Sequence, residues 1–236
     1  RDFMPYFYGF DITYFIFIIP ALIFGLWAQI SVKSAFSKYS RISTARGITG
    51  AEAAKLILEQ NGIYDVTIRH ISGSLTDNFN PREKTINLSD EVYNSTSVAA
   101  IGVAAHETGH AIQHAVGYSP IKIREAIVPV TQVGSWMYFP IILLGLVFSS
   151  QTLLNVGILL FGTIALFQLV TLPVEFNASN RAIMTLQNNG ILYGNEITGA
   201  KAVLRAAALT YVAALVSSLA QLLRLIVLFG GHRSRD

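Results

Sequence analysis

Residues 12–30 read ITYFIFIIPALIFGLWAQI, 19 residues without a charged side chain. Wound as a helix, a run of that length spans the roughly 30 Å hydrocarbon core of a bilayer. Its backbone polar groups are then satisfied within the segment, which lipid requires. Trp27 and the Tyr6, Tyr8 and Tyr14 group suit the two membrane interfaces. The flank before the run is not basic and no small-residue cleavage motif follows it, so it reads as an anchor rather than a signal peptide. The chain begins at Arg1 rather than Met, and trimming of the N-terminus is expected on that ground.

Three further runs follow. Residues 127–149 and 152–172 are uncharged and separated only by Ser149, Ser150 and Gln151, the pattern of a tight helical hairpin across a membrane. Residues 206–229 form the fourth, interrupted by Arg224, which either snorkels to an interface or faces another helix. Composition agrees: only 13% of residues are charged, against about 25% in soluble domains. The expected fold is a mostly α membrane protein, about four transmembrane helices with a small α+β, zincin-like catalytic region in the cytoplasm. The organisation read from the chain is an anchor at 1–30, a soluble catalytic region at 31–126, a transmembrane hairpin at 127–172, a third-ligand helix region at 173–205, and a last transmembrane helix with its tail at 206–236.

Charge sets the expected orientation. Lys33, Lys38, Arg41 and Arg46 follow the first span, and Lys122 and Arg124 precede the second, which places 31–126 in the cytoplasm by the positive-inside rule. Asp2 and Asp11 against Arg1 fit an outside N-terminus. Four spans would put the C-terminus outside too, against the rule for Arg233 and Arg235, so its side stays open.

Within the soluble piece, Thr49-Gly50-Ala51-Glu52 matches a capping box, and a helix is expected through Leu58, ending at Gln60-Asn61-Gly62. Val66, Ile68 and His70 alternate as a strand, as do Ile86 and Leu88. Asn80-Pro81-Arg82-Glu83 lies between them as a turn with extended flanks. The stretch near Lys84–Leu88 could pair with a peptide by strand addition or close an internal hairpin.

The chemistry lies in VAAHETGHAIQH, residues 103–114. His-Glu-x-x-His on a helix sets His106 and His110 on one face, one turn apart, where two imidazoles reach one ion. Glu107 lies about 100° round from His106, placed to approach water at the metal without ligating it. There is no Cys, so any ion must be held by His, Asp or Glu. A catalytic zinc site needs a third protein ligand. His114 continues the same face, but three His along one straight helix do not converge easily on one ion. Glu175 is the better candidate. It stands just after the third apolar run, is the only acid between Glu125 and Glu196, and is returned by the hairpin to the side of the two His.

VAAHETGHAIQH, LTDNFNPREKTINLSDEVYNSTSVAAIGVAA and LPVEFNASNRA together resemble the YugP-like family of membrane neutral zinc metallopeptidases, over about Gly47 to Ala214. The last motif is also similar to that of HtpX-type membrane peptidases, in which a helix Glu is the third zinc ligand and an Asp four positions on supports a ligand His. The resemblance implies a zinc peptidase with Glu175 as third ligand. Ser179 stands where that Asp would be, and Asn177 or Asn180 offer other support.

The function expected is a membrane-embedded zinc metalloendopeptidase, with Zn2+ on His106, His110 and Glu175 and Glu107 as general base. Its partners would be the lipid bilayer and a protein or peptide substrate, and its place a bacterial plasma membrane. His70, His114 and Arg181 are candidate donors to the oxyanion. The formal charge of +3, with no dense basic run among aromatics, gives nucleic acid no support. Two other readings compete. A site-2-type intramembrane protease would carry the motif on a membrane helix, yet its Asn-Pro…Leu-Asp-Gly motif is absent. A zinc-stabilised scaffold or adaptor would have no need of Glu107.

Overall fold

The computed structural model describes residues 11–230. Arg1, Asp2, Tyr6, Tyr8, Arg233 and Arg235, used above for topology and interfaces, lie outside them. A π-helical stretch, Tyr14–Ile18, leads into α1 (Ile19–Tyr39). Then come α2 (Gly50–Gln60), β1 (Thr67–His70), β2 (Asn78–Asn80), β3 (Thr85–Leu88), the short α3 (Asp90–Tyr93) and α4 (Val98–Ala115). Three long helices follow: α5 (Ser119–Val147), α6 (Gln151–Asn188) and α7 (Asn195–Phe229).

The chain divides into two compact units. The first takes the described parts of Arg1–Ala28, Ile123–Thr171 and Tyr211–Asp236. It is the apolar one. Four helical stretches among the described residues are long and apolar enough to cross a membrane: Tyr14–Tyr39, Ser119–Val147, Gln151–Asn188 and Asn195–Phe229. Large side chains on them face outward, with Trp136 82% and Leu159 73% exposed, as lipid-facing residues do. Inside this unit Ile142, Leu154, Phe161 and Leu225 pack together. Arg224 faces another segment rather than snorkelling. Its guanidinium is 3.4 Å from Asp11 Oδ2 and lies over the Tyr14 ring at 4.6 Å, the pairing a cation in an apolar helix needs.

The second unit joins Gln29–Lys122 to Leu172–Thr210. Its α2 starts where the capping box predicts. Thr49 Oγ1 accepts from Glu52 N–H at 3.2 Å, and the Glu52 carboxylate accepts from Thr49 N–H at 2.8 Å. The strands form one sheet in the order β1-β3-β2, with β1 parallel to β3 (Ile68 beside Ile86) and β2 antiparallel to it (Phe79 beside Ile86). Asn80 Oδ1 holds the β2–β3 turn by accepting from the N–H of Arg82 and Glu83 at 3.0 and 3.2 Å. Strand addition at Lys84–Leu88 is therefore corrected: β3 is paired on both sides, and its ladder groups are already spent on β1 and β2. The core lies around α4, with Ile57, Ile86, Leu88, Ile101, Leu186 and Val203 fully or almost fully buried.

Close approach at the start of α2 gives a test of this packing. A Cβ on Gly50 would lie 2.3 Å from the Val92 carbonyl oxygen at the end of α3. Gly50→Ala should cost about 1–3 kcal/mol, as overpacking does, and lower the unfolding temperature of the detergent-solubilised protein. Gly25→Ala meets nothing within 4 Å and should leave that temperature unchanged or raise it.

Candidate metal centre

Helix α4 begins with the Ser97 hydroxyl accepting from Ala100 N–H at 3.2 Å. Its small residues Ala99, Ala100, Gly102, Ala104 and Ala105 are buried and let it run through the middle of its unit, against α2, α3, β2 and β3. The helical period then does what the spacing predicts. The His106 and His110 rings lie 4.8 Å apart, centroid to centroid.

Glu175 enters from α6. Its Oε2 stands 3.3 Å from His106 Nε2 and 3.4 Å from His110 Nε2, and its side chain is 3% exposed. One ligand atom from each of the three residues lies within 4.8 Å of the others. His114 and His70 stand outside that group. His114 sets its ring edge against Phe79 at 5.5 Å. His70 pairs with Asp90 at 2.7 Å and packs on Tyr93. Arg181 donates from Nε to Asn177 Oδ1 at 2.7 Å and lies over the Tyr118 ring.

Two residues turn the imidazoles inward. The Ser179 hydroxyl lies 3.1 Å from His106 Nδ1, so the serine four positions after Glu175 itself meets a His. Gln113 Oε1 lies 3.0 Å from His110 Nδ1. The Gln113 amide also donates to the Val174 carbonyl at 2.8 Å and to Asn177 Oδ1 at 3.0 Å. Each ring thus spends Nδ1 outward and points Nε2 at Glu175. Gln113 was missed from the sequence, although its position one turn after His110 on the same face was the available signal. Gly109 was missed too. A Cβ there would lie 2.6 Å from the Ala178 carbonyl oxygen, so only glycine lets α4 come this close to α6.

Burial pushes the Glu107 carboxyl above the usual carboxylate range, while the nearby His106 and His110 pull against it and Glu175 and Asp77 reinforce it. For His110, burial opposes the charged form, but the hydrogen bond to Glu175 and the charges of Glu107 and Glu175 win and raise it. Asp77, just before β2, is also raised by burial, although the Ser89 N–H and hydroxyl both donate to it at 2.8 and 3.0 Å.

The donor set fits zinc. Bonds of about 2.0–2.1 Å in a tetrahedron put neighbouring ligand atoms about 3.3–3.4 Å apart. The two His–Glu separations, 3.3 and 3.4 Å, match that edge. Two imidazoles and one carboxylate also leave a fourth position, as catalytic rather than structural zinc sites do.

Comparison with known proteins agrees in kind. The model of a family described as "Putative neutral zinc metallopeptidase" matches residues 14–230. A curated relative, "Putative membrane protease YugP" of Bacillus subtilis (strain 168), is 46% identical over 223 residues, covering 94% of this chain and 99% of the relative. No solved structure matches.

The supporting contacts make a prediction distinct from loss of a ligand. Gln113→Leu leaves His110 Nδ1 unheld and breaks two bonds from α4 to α6. It should weaken zinc about 10–100-fold, the usual cost of losing a group that orients a ligand. Gly109→Ala should do the same by forcing the helices apart. Competition with a chromophoric chelator reads both, and wild-type affinity in both variants would contradict this account of the site.

Proposed function

Because the chain belongs to the neutral zinc metallopeptidase family, we propose that it is a membrane-embedded zinc metalloendopeptidase, with zinc held by His106, His110 and Glu175. The observation that carries this reading is the convergence of His106 Nε2 and His110 Nε2 on one Glu175 oxygen at 3.3 and 3.4 Å, with Glu107 next in sequence to the first of them. When bound, zinc supplies a Lewis acid that polarises a carbonyl and makes water a competent nucleophile near neutral pH.

The chain's own groups do the rest. Glu107 accepts a proton from the attacking water as its oxygen bonds to the scissile carbon. It then delivers that proton to the amine as the C–N bond breaks. Burial raises its proton affinity toward the working range for such a shuttle. Ser179 and Gln113 hold the imidazoles so that Nε2 faces the centre. A peptide substrate finds an extended partner in β2, which packs on α4 and, among the described residues, pairs only with β3.

The catalytic region is assigned to 31–126 with 173–205, and the membrane part to 1–30, 127–172 and 206–236. The catalytic side is cytoplasmic, on the strength of Lys33, Lys38, Arg41, Arg46 and Lys122. A site-2-type mechanism is less well supported, since α4 is not among the four membrane-capable stretches and is enclosed by α2, α3 and the sheet. A scaffold role gives no reason for a buried Glu107 beside two imidazoles.

Glu107→Gln should retain zinc and lower hydrolysis of casein or an unfolded membrane protein by about 10²–10⁴-fold, the contribution of a general base. His106→Ala and His110→Ala should lose both zinc and hydrolysis. Glu175→Gln should weaken zinc strongly, while His114→Ala keeps the stoichiometry. Full zinc in Glu175→Gln with lost zinc in His114→Ala would reverse the ligand assignment.

Sidedness has its own measurement. The chain has no Cys, so single cysteines label cleanly. Asn78→Cys and Asn180→Cys should react with an impermeant thiol reagent from the same, cytoplasmic face. Reaction from opposite faces would remove Glu175 from the proposed site.

A further inference from the structure

A cavity of about 410 Å³ opens between α6 and α7, on the parts of both helices that belong to the second unit. Its walls are mainly apolar: Phe176 and Ile183 from α6, Leu204 and Leu209 from α7. Lys201 and Arg205 also line it, four residues and so one helical turn apart on one face of α7. Both are exposed. Neither has a carboxylate partner among the described residues. Glu196, the acid of the first turn of α7, is spent on backbone instead, accepting from Ala45 N–H at 2.6 Å and Tyr193 N–H at 3.1 Å.

The position along α7 matters as much as the charges. Ala206, next after Arg205, begins the apolar run that continues to Phe229 with Arg224 as its one charge. The two cations therefore stand where a membrane-capable helix leaves its apolar stretch, the depth at which lipid phosphates lie. A small soluble anion would use Lys201 and Arg205 but leave the apolar walls wet. An amphiphile with an anionic head and a hydrocarbon tail satisfies both halves of the cavity.

We infer that the α6–α7 cavity binds an anionic phospholipid, its phosphate between Lys201 and Arg205 and an acyl chain against Phe176, Leu204 and Leu209. Asn180, at the same cavity, supplies an amide for the headgroup. The inference stands whether or not the chain is a peptidase, because it uses neither the proposed ligands nor Glu107.

The test uses the full chain in detergent, titrated with short-chain phosphatidylglycerol or phosphatidylcholine and read by native mass spectrometry. Phosphatidylglycerol should bind preferentially. The double variant Lys201→Gln/Arg205→Gln should weaken it roughly 30-fold, the combined effect of two basic groups at a lipid surface. Lys33→Gln/Lys38→Gln, which removes equal charge from α1, should leave the affinity unchanged. Lys201→Arg/Arg205→Lys should restore binding, which separates lost charge from a damaged fold. Inorganic phosphate at millimolar concentration should not displace the lipid. Wild-type affinity in the Gln/Gln variant, equal binding of phosphatidylcholine, or displacement by phosphate alone would overturn the inference.

Discussion

Where α4 and α6 meet, there is no room for a side chain on Gly109, because a Cβ there would lie only 2.6 Å from the Ala178 carbonyl oxygen. The other contacts are set by that approach. His106 reaches Ser179, His110 reaches Glu175, and Gln113 reaches Val174 and Asn177. Advancing along α4 retreats along α6, so the two helices run in opposite directions through the site. Neighbouring helices pack about 8–10 Å apart, depending on the side chains between them. Glycine permits the close approach, and the Glu175 side chain then brings its carboxylate between two imidazoles of the facing helix.

Such an arrangement concentrates charge where water is scarce. Glu107 is 8% and Glu175 2% exposed, and both lie beside the buried imidazole of His110 and the half-buried one of His106. A buried carboxylate is costly unless a cation or donor answers it. The two histidines answer in part, which is why His110 holds its proton more tightly than a free imidazole. A divalent cation answers more fully, since it takes the place of protons on Nε2 and offsets both carboxylates at once. The hydrogen bonds at Nδ1 are compatible with either state. They fix which nitrogen is left for the centre.

Much of this was legible in the residues because local rules decide it. Thr49 and Glu52 specify the start of α2 by reciprocal hydrogen bonds. The spacing of His106 and His110 specifies a shared face whatever surrounds the helix. Uncharged runs specify helices, because lipid leaves the backbone little alternative. What the residues did not show concerns partners chosen over distance. Nothing in Lys84–Leu88 shows that β1 and β2 will take both its edges. Arg224 could not be assigned to Asp11, 213 positions away in sequence. Nothing in the sequence pairs Gln113 with Val174 and Asn177, or Gly109 with the Ala178 carbonyl. Ser179 looked like the loss of an Asp, yet a hydroxyl in the same position still reaches His106 Nδ1.

The length of α6 joins these local and distant effects. Its 38 residues extend for about 57 Å at 1.5 Å per residue, well beyond what the hydrocarbon core requires. The excess is not a tail. From Leu172 onward it belongs to the second unit and carries Glu175, Asn177, Ala178 and Ser179, all of which face α4 groups. Ala178 and Ser179, three and four residues after Glu175, share its face of the helix. Because the segment is one hydrogen-bonded helix, Glu175 cannot rotate toward the imidazoles independently of Ala178 or Ser179. The contact at Gly109 therefore fixes the phase of the whole segment, and the phase places the carboxylate. A ligand on a loop would have to be ordered at its own entropic cost. Here that cost is met by a helix that is long and apolar enough to cross a membrane as well.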